Sequence, residues 1–187
     1  MAVSNAVIET PRLLLRGWRE ADVEPFIRHT NTPAVMRWLG GVRDETLVRE
    51  MLLGKFNQWQ EERGFTFWAV ERRSDAALLG FCGLKLADDA GTMIEGLHEV
   101  GWRLREDAWG QGYAKEAAIA SLDFAFGPAG AQQVVALTVE GNEPSWGLME
   151  RLGMTRRPEL DYEGPDWAET PVIVYVVRKD EWQARTS

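Results

Sequence analysis

The sequence is poor in residues that bind metals or form disulfides. It has one cysteine, Cys82, and two histidines, His29 and His98. A single thiol excludes an intrachain disulfide and a zinc site built from cysteines. No metal-ligand spacing is present, so we expect no metal. Cys82 lies in the apolar stretch "GFCGL", which indicates a small buried side chain rather than a nucleophile.

Long apolar runs are also missing. None approaches the roughly 20 residues that a membrane-spanning helix requires. The opening "MAVSNAVIETPR" has neither a basic segment nor a long apolar stretch, so it lacks the pattern of a signal peptide. We therefore expect a cytoplasmic protein with no membrane partner.

Basic residues are outnumbered by acidic ones. The chain has 21 Lys and Arg residues against 29 Asp and Glu residues, a net charge of -8. This balance disfavours nonspecific binding to nucleic acid, which depends on positive charge, and we expect no nucleic-acid partner. It is compatible with a cationic substrate, and also with acidity that serves only solubility.

The composition that remains is that of an ordinary globular protein. Of the 187 residues, 45% are hydrophobic and 27% are charged. This length suits one domain, and a core of this size needs no disulfides. Because no repeat or linker is visible, we predict a single domain over residues 1–187.

Strand and helix patterns alternate along the chain. We predict strands over 12–18, 65–72, 77–86, 95–106, 132–140 and 170–179, a weak strand over 154–162, and helices over 19–39 (broken near Pro33), 44–62, 113–126 and 142–152. Three consecutive strands indicate an antiparallel meander, and the later strand-helix-strand units indicate a parallel portion. The expected fold is α/β, a mixed sheet with helices on both faces.

A glycine-containing turn precedes the predicted helix 113–126, in "WGQGYAKEAAIA". A helix N-terminus offers free amides, and glycine lets an anion approach the backbone. A plain strand-to-helix turn without a ligand is the alternative. The P-loop pattern is absent. A dinucleotide fingerprint fits Gly110 and Gly112 but has Lys115 in its third glycine position, so it is disfavoured.

Two longer segments favour the anion-binding turn over the plain turn. "EVGWRLREDAWGQGYAKEA" followed by "VVALTVEGNEPSWGLMERLGM" resembles the GCN5-related N-acetyltransferases (GNAT), most of all their RimJ/RimL-type branch. The opening "TPRLLLRGWREADVEPF" and the closing "VIVYVVRKDEW" fit the same branch. The resemblance implies a GNAT-like mixed sheet of about seven strands, acetyl-CoA as co-substrate, and a primary amine as acceptor.

The resemblance also implies which residues hold acetyl-CoA. The family's pyrophosphate loop falls on residues 109–114, where Gly112 and Ala114 match its pattern and Trp109 replaces the polar first residue. The strand before it would pair its backbone with the pantetheine arm and donate to the thioester carbonyl. The implied cofactor-binding residues are Val100, Trp102, Leu104, Gln111, Gly112, Tyr113, Ala114, Lys115 and Asn142.

Aminolysis of a thioester requires a neutral amine, which calls for a carboxylate or an ordered water as base. Glu99, in "HEVGW", is the first candidate, because the family often carries a glutamate there. Pairing with Arg103 or with a neighbouring strand is its alternative role. Glu140, at the end of the strand 132–140, is the second candidate base, and its alternative is a solvated loop residue.

The proton for the leaving thiolate is the other requirement. Many relatives use a tyrosine at the position of Met149, so that group is missing here. The RimL-like pattern offers Ser145, and solvent is the alternative. Asn142 also fits a helix N-cap, which is compatible with its contact to pantetheine.

The acceptor side is the least defined part of the sequence. Trp38 and Trp167 lie in loop-like segments, and "LDYEGPDWAE" contains Asp161 and Glu163 among four carboxylates. A cationic amine would be attracted there, although a solvated acidic hairpin explains the pattern equally well. We name Trp38, Asp161, Glu163 and Trp167 as candidate substrate-binding residues.

Two functions of different classes follow from these residues. The first is an acetyl-CoA-dependent N-acetyltransferase that acts on a protein N-terminus or a small-molecule amine by direct attack in a ternary complex. The alternative is a catalytically degenerate acyl-CoA-binding regulatory module, suggested by the missing tyrosine at Met149. A homodimer is compatible with the resemblance.

Overall fold

The structure is a computed structural model that describes residues 8–185; residues 1–7 of the opening segment considered above lie outside it. Its strands are β1 (Ile8–Glu9), β2 (Leu13–Arg16), β3 (Phe67–Arg72), β4 (Leu78–Leu86), β5 (His98–Leu104), β6 (Gln133–Val139), β7 (Thr155–Arg156) and β8 (Val172–Arg178). Its α-helices are α1 (Val23–Thr30), α2 (Pro33–Met36), α3 (Glu45–Arg49), α4 (Asn57–Arg63), α5 (Tyr113–Phe126), α6 (Glu143–Arg151) and α7 (Lys179–Arg185).

The strands form one mixed sheet in the spatial order β1-β2-β3-β4-β5-β6-β8-β7. The predicted meander is confirmed, since β2 to β5 pair antiparallel in sequence order. The parallel portion is confirmed between β5 and β6. The second unit differs from the expectation, because β8 lies between β6 and β7 and pairs antiparallel with both.

Two local predictions need correction. The weak strand over 154–162 shortens to β7 and an isolated bridge from Tyr162 to Val172. The helix over 44–62 has a π-helical middle, Glu50–Phe56. The eight strands of the sheet are consistent with the expected number of about seven. Elements β1 and α7 were not predicted, because β1 has only two residues and α7 follows β8 without a break.

Helices cover both faces of the sheet, as expected. On one face, α5 packs its alanine-rich side against β5, with Val100, Leu104, Ala117 and Leu122 in one core cluster. On the other face, α1 and the segment from α3 to α4 pack over an aromatic cluster that includes Phe26, Phe56, Phe67 and Phe81. Within residues 8–185, no helix is both long and apolar enough to span a bilayer.

The sheet opens between β5 and β6. Their parallel pairing extends over only two residue pairs, His98 with Val134 and Glu99 with Val135. Beyond this point β5 remains paired with β4 as far as Leu104, and β6 remains paired with β8. The two strands therefore diverge within the sheet, and the backbone of β5 beyond Glu99 borders the gap between them.

Candidate active site

The edge of β5 along this gap presents backbone hydrogen-bonding groups. In an antiparallel pair, the amides and carbonyls of alternate residues point to the neighbouring strand. Because the Arg105 amide donates to the Leu79 carbonyl at 2.8 Å, the odd-numbered residues bond to β4. The backbone groups of Val100, Trp102 and Leu104 therefore point towards the gap.

The glycine turn lies at the N-terminus of α5. Gly110 and Gly112 have φ angles of +71° and +79°, a left-handed conformation that glycine adopts without steric cost. The first helical hydrogen bond runs from the Glu116 amide to the Gly112 carbonyl at 3.0 Å. The amides of residues 113–115 precede it and have no partner within the helix. The turn thus combines bare backbone with free donors.

Arg12, directly before β2, holds this turn through hydrogen bonds. Its Nε donates to Oε2 of Glu116 at 2.6 Å and its Nη1 donates to the Gln111 carbonyl at 2.9 Å. Its guanidinium lies 4.3 Å from the centre of the Tyr113 ring. The sequence carries Arg12 in the "TPRLLLR" segment, but nothing there assigns it to the turn, since its partners lie about a hundred residues away. It places a positive charge beside the helix N-terminus.

Glu99 lies at the point where β5 and β6 separate. It is buried, and its Oε2 has no hydrogen-bond partner among the described residues. Burial raises the pKa of Glu99 to about 7, opposed by the positive charge of Lys85. Lys85 faces it on β4, with Nζ 3.6 Å from Oε2. Of the alternatives in the sequence, the partner is thus the neighbouring strand and not Arg103.

Lys85 connects Glu99 to an acidic segment after β4. Its Nζ also donates to Oδ1 of Asp88 at 2.5 Å. The next residue, Asp89, accepts a hydrogen bond from the Tyr162 hydroxyl at 2.9 Å. The sequence does not assign Lys85 to Glu99, because that contact depends on strand register, and alternation alone fixes only the face of its own strand on which each residue lies.

The start of α6 brings three further candidates to the end of β6. Glu140 follows β6 directly and is exposed. Asn142 takes the N-cap position, yet within the described chain its side chain makes no capping hydrogen bond. Ser145 is partly exposed in the first turn, and Met149 faces the core with 1% of its surface exposed. The Asn142 amide group is therefore not used as a cap.

The chain as a whole is similar to known proteins. Residues 12–155 match a family model described as an acetyltransferase (GNAT) domain. The chain belongs to the GNAT family. It is 33% identical over 147 residues to the uncharacterized protein YkkB of Bacillus subtilis strain 168, covering 78% of this chain and 83% of YkkB.

Two further comparisons agree with this assignment. The N-acetyltransferase YoaA of the same strain, itself uncharacterized, is 26% identical over 156 residues, covering 82% of this chain and 85% of YoaA. The crystal structure of a GNAT acetyltransferase from Bacillus anthracis superimposes with a TM-score of 0.76 at 23% identity, covering 94% of this chain and all of that one. The protein is an N-acetyltransferase of a family that uses acetyl-CoA.

In this GNAT protein, each of the two candidate tryptophans packs on a glycine of another segment. Trp38 follows α2, and its ring packs against Gly141 so closely that a Cβ there would lie 2.7 Å from it. Trp167 lies between β7 and β8 and packs its ring on Gly40, 3.2 Å from an equivalent Cβ. The segment 37–44 thus contacts both the end of β6 and the segment 157–171.

The candidate carboxylates between β7 and β8, Asp161 and Glu163, differ in their surroundings. Asp161 forms an ion pair with Arg156, with one N–O distance of 2.7 Å, and accepts a hydrogen bond from the Val174 amide at 3.1 Å. Glu163 is exposed. The Asp161 charge is therefore offset by a neighbour, whereas Glu163 remains open to solvent.

Cys82 and His98 have structural surroundings. Cys82 is fully buried, its Sγ lies 3.6 Å from the Ser121 hydroxyl, and burial raises the pKa of its thiol to about 12. The His98 ring lies 5.2 Å from Phe65, and burial lowers the pKa of His98. Within the described part of the chain, no group of three or more His, Cys, Asp and Glu residues has metal-binding geometry.

Proposed function

We propose that the chain is a RimJ/RimL-type N-acetyltransferase, a single domain that moves an acetyl group from acetyl-CoA to a primary amine by direct attack in a ternary complex. The observation that carries this proposal is the separation of β5 from β6 directly after Glu99. It brings an open strand edge and a buried carboxylate to one place.

The residues around the gap fit acetyl-CoA. The backbone of Val100, Trp102 and Leu104 would bind the pantetheine arm, with Asn142 opposite. The turn amides from Gln111 to Lys115 would bind the pyrophosphate, since they precede the first helical bond and Gly112 adds no side chain. The residues in this set are Gln111, Gly112, Tyr113, Ala114 and Lys115. When bound, acetyl-CoA supplies the acetyl group activated as a thioester.

Glu99 is the proposed general base. A carboxylate with a pKa of about 7 can accept a proton from an ammonium group near neutral pH and still be largely ionised above that pH. Its burial at the strand divergence keeps it beside the edge that would bind the thioester. Glu140, exposed at the end of β6, is the second candidate, and a water molecule is the third.

The amides of β5 and the hydroxyl of Ser145 are the proposed donors. Backbone amides that point into the gap can stabilise negative charge that develops on the thioester oxygen. Ser145, in the first turn of α6, can donate a proton to the sulfur. Solvent is the competing donor, because a thiol with a pKa of about 8.5 is a tolerable leaving group.

The proposed acceptor is a peptide N-terminus or a small amine. Trp38, which packs on Gly141 after β6, and Trp167, which packs on Gly40, would border the acceptor at the gap. The exposed Glu163 would attract an ammonium group. Asp161 is weaker in this role, because Arg156 already offsets its charge.

The test is release of free CoA from acetyl-CoA in the presence of peptides, polyamines and aminoglycosides. We expect at least one amine class to release CoA and to gain an acetyl group detectable by mass spectrometry. If the protein binds CoA tightly but no amine causes release of CoA from acetyl-CoA, a degenerate acyl-CoA-binding module is favoured instead. The methionine at position 149, where many relatives have a tyrosine, supports that alternative. A double variant, Glu99→Gln with Ser145→Ala, should lose turnover and retain CoA binding.

A further inference from the structure

Arg103 is a half-buried positive charge that forms no ion pair with any residue from 8 to 185. It lies on β5, and its guanidinium is 5.1 Å from the centre of the Phe81 ring and 6.0 Å from that of Phe26. Its Nε is buried and has no hydrogen-bond partner among residues 8–185. Burial, and then the positive charge of Arg43, lowers the pKa of Arg103 to about 10, so it remains charged at neutral pH.

Arg16 shows how the same fold treats a buried guanidinium that has only a structural role. Its Nη1 lies 2.8 Å from Oδ2 of Asp22, and its Nε lies 2.8 Å from Oε2 of Glu71. Buried charges in proteins are usually paired in this way, because an unpaired one loses hydration without compensation. Within the described chain Arg103 has aromatic neighbours and no carboxylate partner, which indicates that its counter-ion comes from a ligand.

The position of Arg103 indicates that the anionic group belongs to the amine acceptor and not to acetyl-CoA. Its side chain packs with Phe26 of α1 and Phe81, on the face covered by α1 and the segment from α3 to α4. Helix α5, whose N-terminus carries the turn assigned to the pyrophosphate, packs on the opposite face with Leu104. Arg43 belongs to the segment 37–44, which also carries Trp38.

Glu99 and Arg103 lie on the same face of β5, four residues apart. At roughly 3.3 Å per residue, their Cα atoms are about 13 Å apart. The Phe67 ring covers Gly101 between them, since a Cβ at Gly101 would lie 2.9 Å from that ring. One end of this face holds Glu99, with Lys85 and Asp88 on the neighbouring strand and the turn after it, and the other end holds Arg103.

We propose that Arg103 binds a carboxylate or phosphate of the acceptor, so that the acceptor is an extended molecule with its amine at Glu99 and a separate anionic group at Arg103. This inference rests on the proposed function. The charge pattern of the face matches such a zwitterion, and Phe67 between the two ends disfavours an α-amino acid, whose charges are adjacent.

Matched acceptor pairs test the proposal. β-Alanine, 4-aminobutyrate and 6-aminohexanoate, and peptides with a glutamate at the second or third position, are compared with their carboxamide counterparts in CoA-release assays. We expect the wild type to prefer the carboxylate member of at least one pair by tenfold or more. Arg103→Gln should remove that preference by raising the acceptor KM, with the acetyl-CoA KM unchanged.

A binding measurement separates this inference from the proposed function. The N-acetylated forms of the same pairs are titrated by calorimetry into the protein with CoA. Carboxylate-selective binding that Arg103→Gln abolishes would support the anion site even if no amine were acetylated. Turnover without a carboxylate preference in any pair, or a preference that survives Arg103→Gln, would overturn the anion site and leave the proposed function intact.

Two controls complete the design. Arg178→Gln removes an exposed arginine at the end of β8 and should change neither preference nor KM. Arg103→Lys keeps a positive charge and should retain part of the preference, which a purely packing role would not predict. If Arg103→Gln weakens acetyl-CoA binding and leaves the acceptor KM unchanged, the anion belongs to the donor and the proposal is wrong.

Discussion

The Nζ of Lys85 lies 3.6 Å from Oε2 of Glu99, across the register pair that joins β4 to β5. This cation opposes the effect of burial on the Glu99 pKa, which nevertheless rises to about 7. The same ammonium also bonds to Asp88 at 2.5 Å. The protonation state of the candidate base is therefore set mainly by its burial, and a residue on the next strand limits the effect.

Replacing Glu99 by glutamine should lower kcat about 100-fold, because a positioned general base contributes roughly 10² to 10⁴ in rate. Acetyl-CoA binding, measured by calorimetry, should not change, since the backbone of β5 remains. Glu62→Gln, on the exposed side of α4, is the control and should behave as wild type. An unchanged kcat in Glu99→Gln would mean that Glu140 or a water molecule is the general base.

The pH profile of kcat/KM should show an acidic limb near pH 7, where Glu99 loses its proton. Lys85→Met removes the charge that favours the ionised carboxylate, so the limb should move to higher pH. Lys55→Met is a matched control, because Lys55 lies 3.8 Å from Asp88 and forms no ion pair with Glu99 among the described residues. A limb that does not move in Lys85→Met would mean that another group titrates.

The stability of the protein should also depend on Glu99. Its folded-state pKa lies above the ordinary value of 4.5, so between pH 4.5 and about 7 the folded state binds more protons than the unfolded one. The contribution of Glu99 to the free energy of unfolding therefore falls as pH rises through this window and is constant above it.

Glu99→Gln removes this titration. The free energy of unfolding of the variant, minus that of wild type, should therefore be larger at pH 8 than at pH 5 by up to about 3 kcal/mol, taking about 1.4 kcal/mol per pKa unit. Urea denaturation of both proteins at the two pH values measures the difference. An equal difference at both would show that Glu99 is not destabilised by its surroundings.

Gly112→Val should raise the KM for acetyl-CoA far more than it changes acceptor preference. A side chain there is strained by a φ of +79° and lies 3.4 Å from Nη2 of Arg12, beside the free amides of α5. Gly130→Val is a matched control, with a φ of +69° and no atom within 4 Å of the added Cβ. Both substitutions should lower the free energy of unfolding by about 1 to 2 kcal/mol. An equal rise of the acetyl-CoA KM in both variants would contradict the pyrophosphate assignment.

Arg12→Gln should raise the acetyl-CoA KM several-fold with little effect on kcat. It removes the bonds to Glu116 and the Gln111 carbonyl that hold the turn, together with a positive charge beside the helix N-terminus. Arg73→Gln is the comparison, since Arg73 bonds to the Thr10 carbonyl in the same N-terminal segment but not to the turn. Equal effects of the two variants would indicate a general role in holding that segment.

Local patterns in the sequence were sufficient for most of the elements and for part of the site. Helix α5 and its glycine turn are visible because an alanine-rich run, a left-handed turn and a helix start depend on neighbouring residues. The position of Glu99 on one strand face follows from alternation alone. The meander follows from three strands in succession.

Long-range packing decided the rest. The insertion of β8 between β6 and β7, and the short pairing of β5 with β6, depend on how strands far apart in sequence meet. Lys85 faces Glu99 only through register, and Arg12 reaches Glu116 across 104 positions. Arg103 differs from Arg16 not by its residue type or by alternation, but by whether the folded chain brings a carboxylate to it.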